Sequence, residues 1–136
     1  MDYNIIMLSL ENINGESIEN ATLQDIKKAL LALFMKKSGE GKSHKVTIWN
    51  DYEEISLEVY ENTLILQDWG HFRYDGPGGA GELLRIRVKE GSISYIIDEV
   101  VNLFGEYKLK ELIKLLKSLP KPKEFPAKLI KETFDL

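Results

Sequence analysis

The side chains best suited to chemistry crowd into one stretch, residues 70–81, where His71, Arg73, Tyr74 and Asp75 stand among five of the chain's ten glycines. A histidine close to a carboxylate is poised near neutral pH and can trade protons, and an arginine beside them can hold an anion. Neighbouring residues of a loop point apart, however, whereas catalysis needs partners from separate elements meeting at one point. The stretch reads as an exposed loop anchored by Phe72 or Tyr74, and no catalytic residue is assigned. His44, beside Lys45 at a strand entrance, has a weaker claim.

Gly76-Pro77-Gly78-Gly79-Ala80-Gly81 spells G-x-G-x-x-G. That dinucleotide fingerprint works only where a strand hands over to a helix whose N-terminus faces the pyrophosphate. Here Glu82 to Val88 follows and reads as strand. The same six residues fit the first half of a phosphate loop, but Glu82 and Leu83 stand where that loop needs Lys and Ser or Thr, and a carboxylate there repels phosphate. With two distant histidines, no cysteine and no D-x-D-x-D-G spacing, neither a cofactor nor a metal is expected.

The second constellation is electrostatic. Asp51, Glu53, Glu54, Glu58, Glu61 and Asp68 place six acids between residues 51 and 68 with no Lys or Arg among them, beside Trp49, Tyr52, Tyr60 and Trp69. Negative field with aromatic anchors suits docking onto a basic protein surface, the charge steering encounter and the aromatics supplying affinity. The expected partner-binding set is Asp51, Glu54, Glu58, Asp68 and Trp69, with His71, Arg73 and Tyr74 of the adjoining loop. The acids are expected to project together from the solvent face of a sheet, unneutralised by the chain's own cations. Lysines 108, 110, 114, 117, 121 and 123 face only Glu111, so an acidic side and a basic side are expected. No aromatic interrupts those lysines and the net charge is −4, which argues against a nucleic-acid partner.

Such a surface must be held by regular elements. Tyr3 to Leu10 is apolar and isoleucine-rich, ends at Asn12-Ile13-Asn14-Gly15, and predicts a first strand buried on both faces. Thr22 and Asp25 have capping-box spacing ahead of Leu23, Ile26, Leu30, Leu33 and Phe34, which recur at helical period. Four alternating segments follow. They are Val46/Ile48, Ile55/Leu57/Val59, Leu64/Leu66 after an Glu61-Asn62 turn, and Leu84/Ile86/Val88, and their short connections favour an antiparallel meander. Only the glycine-rich connection is longer than a hairpin needs. Ile93, Ile96, Ile97, Val100, Val101 and Phe104 predict a helix capped by Ser92 or Ser94 and closed by Gly105 at C′. Leu109, Leu112, Ile113, Leu116 and Leu119 predict another, stopped by Pro120. Pro126 opens a short last helix, 127–134. The expected fold is α+β: an N-terminal strand and helix, an antiparallel meander of about four to five strands, and C-terminal helices packed on one face. It forms one domain, 1–136, with a Pro-punctuated segment at 120–136.

At 136 residues the chain has the size of a single domain and buries enough surface to need no disulfide. Its longest apolar run, Ala29 to Met35, is far short of the roughly 20 residues that span a bilayer. No basic residue precedes the apolar N-terminal stretch, so it does not read as a signal peptide, and a cytoplasmic location is expected.

The order of these features, including Asn20-Ala21-Thr22-Leu23-Gln24-Asp25-Ile26-Lys27-Lys28-Ala29-Leu30 and the helix from Ser92 to Phe104, resembles bacterial immunity proteins of polymorphic-toxin systems over residues 3–105. The resemblance implies a small acidic cytosolic protein that plugs the active site of a cognate, frequently cationic, toxin. It transfers no binding residue, because those differ from toxin to toxin. The leading expectation is a protein-binding, immunity-type module and not an enzyme. The rivals are a small enzyme with loop 70–81 as a lid near His71 and Arg73, and an oligomeric structural or phage-type subunit joined through Leu31 and Met35.

Overall fold

In a computed structural model, residues 8–36, 44–50, 53–68 and 81–118 are described. Within them the chain opens with a hairpin. Strand β1 (Leu8–Glu11) turns at Asn12, whose side-chain oxygen accepts the backbone N–H groups of Asn14 and Glu16, and Gly15 takes a φ of 80° that costs glycine little. The returning strand β2 (Ser17–Ala21) was not expected, since Ile18 is its only large apolar residue and no alternation marks it. It is an edge strand, exposed at Ser17, Glu19 and Asn20, and it bulges at Asn20, which lies in the left-handed region at φ 54°. Of the strand expected over 3–10, residues 8–10 are described: Leu8 and Leu10 are buried, Ser9 is half-buried, and Glu11 beyond them is exposed.

Helix α1 (Leu23–Lys36) starts from the expected capping box. The Thr22 N–H donates to Asp25 Oδ2 at 2.8 Å, and the Asp25 N–H donates to Thr22 Oγ1 at 3.1 Å. The helix leads across to β3 (Lys45–Trp49), which pairs with β1 on the side away from β2. Strands β4 (Glu54–Tyr60), β5 (Thr63–Asp68) and β6 (Gly81–Arg87) complete the expected meander. The sheet has six strands in the order β2-β1-β3-β4-β5-β6, every neighbouring pair antiparallel. Between β4 and β5, Glu61 adopts φ 57°, the left-handed region a two-residue hairpin turn calls for. In β6 the register steps from Leu84 opposite Leu66 to Glu82 opposite Gln67, leaving Leu83 as an extra residue. The bulge lets both Leu83 and Leu84 face inward, at 2% and 0% exposure.

A 3₁₀ turn (Glu90–Ser92) feeds α2 (Ile93–Glu106), and α3 (Leu109–Lys117) follows. All three helices lie on one side of the sheet. Ile26, Leu30, Leu33, Ile96, Ile97, Val100, Phe104, Leu112 and Leu116 share one apolar cluster with Leu10, Val46, Ile48, Ile55, Leu57, Val59, Leu64, Leu66 and Ile86. The architecture is α+β, with six strands in place of four to five. Ser92 holds the N-cap position of α2 without a side-chain cap bond. Gly105 is not the C′ residue. It lies within the last turn of α2, Tyr107 ends the helix in an extended conformation, and a Cβ on Gly105 would come within 2.9 Å of Leu23 Cδ1. Close approach of α1 and α2, rather than a left-handed cap, accounts for the glycine. The expected last helix, 127–134, together with Leu119 and Pro120, lies outside the described residues.

Candidate protein-binding face

A strand's side chains alternate between faces, and residues directly opposite on paired strands share a face. Val46, Ile48, Ile55, Leu57, Val59, Leu64 and Leu66 point to the helices, so the intervening residues line the other side. Four rows cross that outer face. Ser9, Trp49 and Glu54 stand in line, followed by Glu11, Thr47, Ser56 and Gln67. Next come Lys45, Glu58, Ile65 and Arg85, and then Tyr60, Thr63 and Arg87. The centre is small and closely covered, with Ser56 at 1% exposure, Thr47 at 8% and Ile65 at 9%. Around it Trp49, Glu54 and Glu58 are half-buried and Tyr60 is 59% exposed. At the lip of β3 and β4, Asn50 Oδ1 accepts the Glu53 N–H at 2.7 Å and the Asn50 N–H donates to the Glu53 carbonyl.

Of the expected partner-binding residues, Glu54 and Glu58 therefore share the outer face with Trp49 and Tyr60. Asp68 does not. It pairs with Ile55, so it points to the helix side, where it is 5% exposed, and its Oδ2 lies 2.7 Å from Lys117 Nζ of α3. The expectation of Asp68 as an exposed docking acid is overturned, and the reason is parity. Asp68 follows Leu64 and Leu66 at a period of two, a signal already present in the sequence. Asp51, Trp69, His71, Arg73 and Tyr74 lie outside the described residues, as does the loop from 70 to 80.

The expected unneutralised acidic platform is also narrower than its spacing suggested. Lys45 stands directly opposite Glu58, and Arg85 lies in the same row beyond Ile65. Strand order brings these cations in from segments 13 or more positions away from Glu58, which no local charge count reveals. Among the described residues no group of three His, Cys, Asp or Glu side chains is placed to hold a metal ion. No described helix is long and apolar enough to cross a membrane.

Comparison with protein-family models, with curated proteins and with solved structures returns no match for this chain.

Proposed function

We propose that this protein is a binding module of the immunity type, which docks on a protein partner through the outer face of its sheet and neutralises a basic toxin. The observation that carries the reading is the one-sided helix layer. With α1, α2 and α3 on the inner face, the outer face carries Trp49 opposite Glu54 at one end of β4 and Glu58 and Tyr60 towards the other, with Ser56 between them. Trp49 and Tyr60 are the aromatic anchors, a role for which large rigid rings at low entropic cost are suited. Glu54 and Glu58 address cationic groups of the partner, while Lys45 and Arg85 set where on the face those cations seat and reject a uniformly basic surface in the wrong register.

The test is association kinetics with a partner recovered by affinity purification from the native host. Glu54→Lys with Glu58→Lys slows the on-rate about tenfold at low ionic strength, and added salt narrows the difference. Trp49→Ala raises the off-rate instead. A double charge reversal that binds as fast as the parent at low salt removes this face from the interface.

A further inference from the structure

The two edges of the sheet carry opposite charge. At one edge Ser17 and Glu19 of β2 alternate with the inward Ile18, so Glu19 shares the outer face with Glu11 of β1, and both are exposed, as is Glu16 in the turn. At the other edge Arg85 and Arg87 of β6 occupy the same outer face and are exposed, and Lys89 follows. The inner layer repeats the pattern at the basic end. Helix α3 packs beside β6 and exposes Lys108, Lys110 and Lys114 against a single exposed acid, Glu111. Residues 8–26 hold four acids and no base. Among the described residues neither β2 nor β6 has a second strand neighbour.

We infer that copies of this protein associate head to tail, the β2 edge of one adding to the β6 edge of the next. Strand direction permits it. Six strands that alternate throughout leave β2 and β6 antiparallel to one another, so a copy placed beside its neighbour without inversion continues the sheet as another antiparallel pair. Its helices then stay on the same side. Glu11 and Glu19 of one copy come onto the same face as Arg85 and Arg87 of the other, the arrangement in which cross-strand opposite charges attract. Two-fold pairing is disfavoured, because β6 against β6 sets arginine against arginine and β2 against β2 sets glutamate against glutamate. A heterologous contact repeats rather than closing on itself unless the rotation between copies happens to complete a ring. The edges are short and their charges exposed, so the contact is weak and salt-sensitive.

Sedimentation velocity of the full chain at low salt tests this. The weight-average mass is expected to rise more than about twofold between micromolar and near-millimolar protein, passing beyond dimer, and to fall back to monomer near physiological ionic strength or above. Arg85→Glu with Arg87→Glu, and separately Glu11→Lys with Glu19→Lys, each give a folded monomer that still unfolds in one cooperative thermal transition. Mixing the two variants restores the growth in mass, because each then offers edges only the other complements. A parent that stays monomeric throughout, growth that stops at dimer, or association untouched by the reversals each overturn the inference. So does a β6 edge that binds a nucleic-acid oligomer while the chain remains monomeric.

Discussion

At the residue scale, the N-terminus of α1 rests on two reciprocal hydrogen bonds between Thr22 and Asp25. They satisfy backbone donors that the helix itself leaves orphaned. The Thr22 amide, and then its hydroxyl, hold the Asp25 carboxyl below its ordinary value of 3.8. A carboxyl that is more acidic folded than unfolded adds stability above the unfolded value, and that increment is lost as pH falls through the folded one. Asp25→Ala is accordingly expected to cost roughly 0.5 kcal/mol in urea unfolding at neutral pH, since solvent screens an exposed carboxylate. The gap between parent and variant should close as the pH is taken below the carboxylate range. This cap was legible in the sequence because all its parts lie within four positions. The burial of Asp68 is legible too, through its parity with Leu64 and Leu66, although its acid type by itself points to solvent.

At the element scale, α1 and α2 pack closely where Leu23 meets Gly105. Two effects oppose there. Alanine in a helix is favoured over glycine by up to about 1 kcal/mol, while the added methyl must displace the Leu23 side chain. Gly105→Ala alone is expected to change stability by less than about 0.5 kcal/mol, whereas in a Leu23→Ala background it stabilises by close to the full propensity difference. Chemical denaturation of the four proteins in this cycle measures the coupling, and equal effects in both backgrounds would exclude it. Helices with a strong apolar stripe, α1, α2 and α3, were readable because burial recurs every three or four residues. Strand β2 was not. Its stability comes from pairing with β1 through a turn, so its exposed residues carry no periodic record of it.

At the scale of the whole molecule, the described helices α1, α2 and α3 pack on one face of the sheet, and among the described residues this divides the charges into those buried beneath the helices and those on the opposite face. Asp68 and Glu58 belong to the same acidic run, yet the fold gives them different work. Asp68→Ala is expected to lower stability by roughly 1–3 kcal/mol, since it empties a buried site facing Lys117, while leaving the partner on-rate within about twofold of the parent. Glu58→Gln should show the reverse, a slower on-rate with stability little changed. Paired measurements of unfolding and association on both variants separate the roles, and an Asp68 variant that slows association as much as the glutamate reversals would return it to the interface.

What the sequence by itself determined is local: which residues of each strand and helix are apolar, where helix α1 is capped, and where turns demand glycine or a left-handed residue. These follow from interactions within a few positions of one another. Tertiary structure alone decided that Lys45 faces Glu58, that Lys117 reaches Asp68, that Gly105 makes room for Leu23, and that acids and bases collect at opposite sheet edges. Strand order and register are chosen by which arrangement buries the combined apolar faces, and the polar side chains are carried to wherever that choice leaves them.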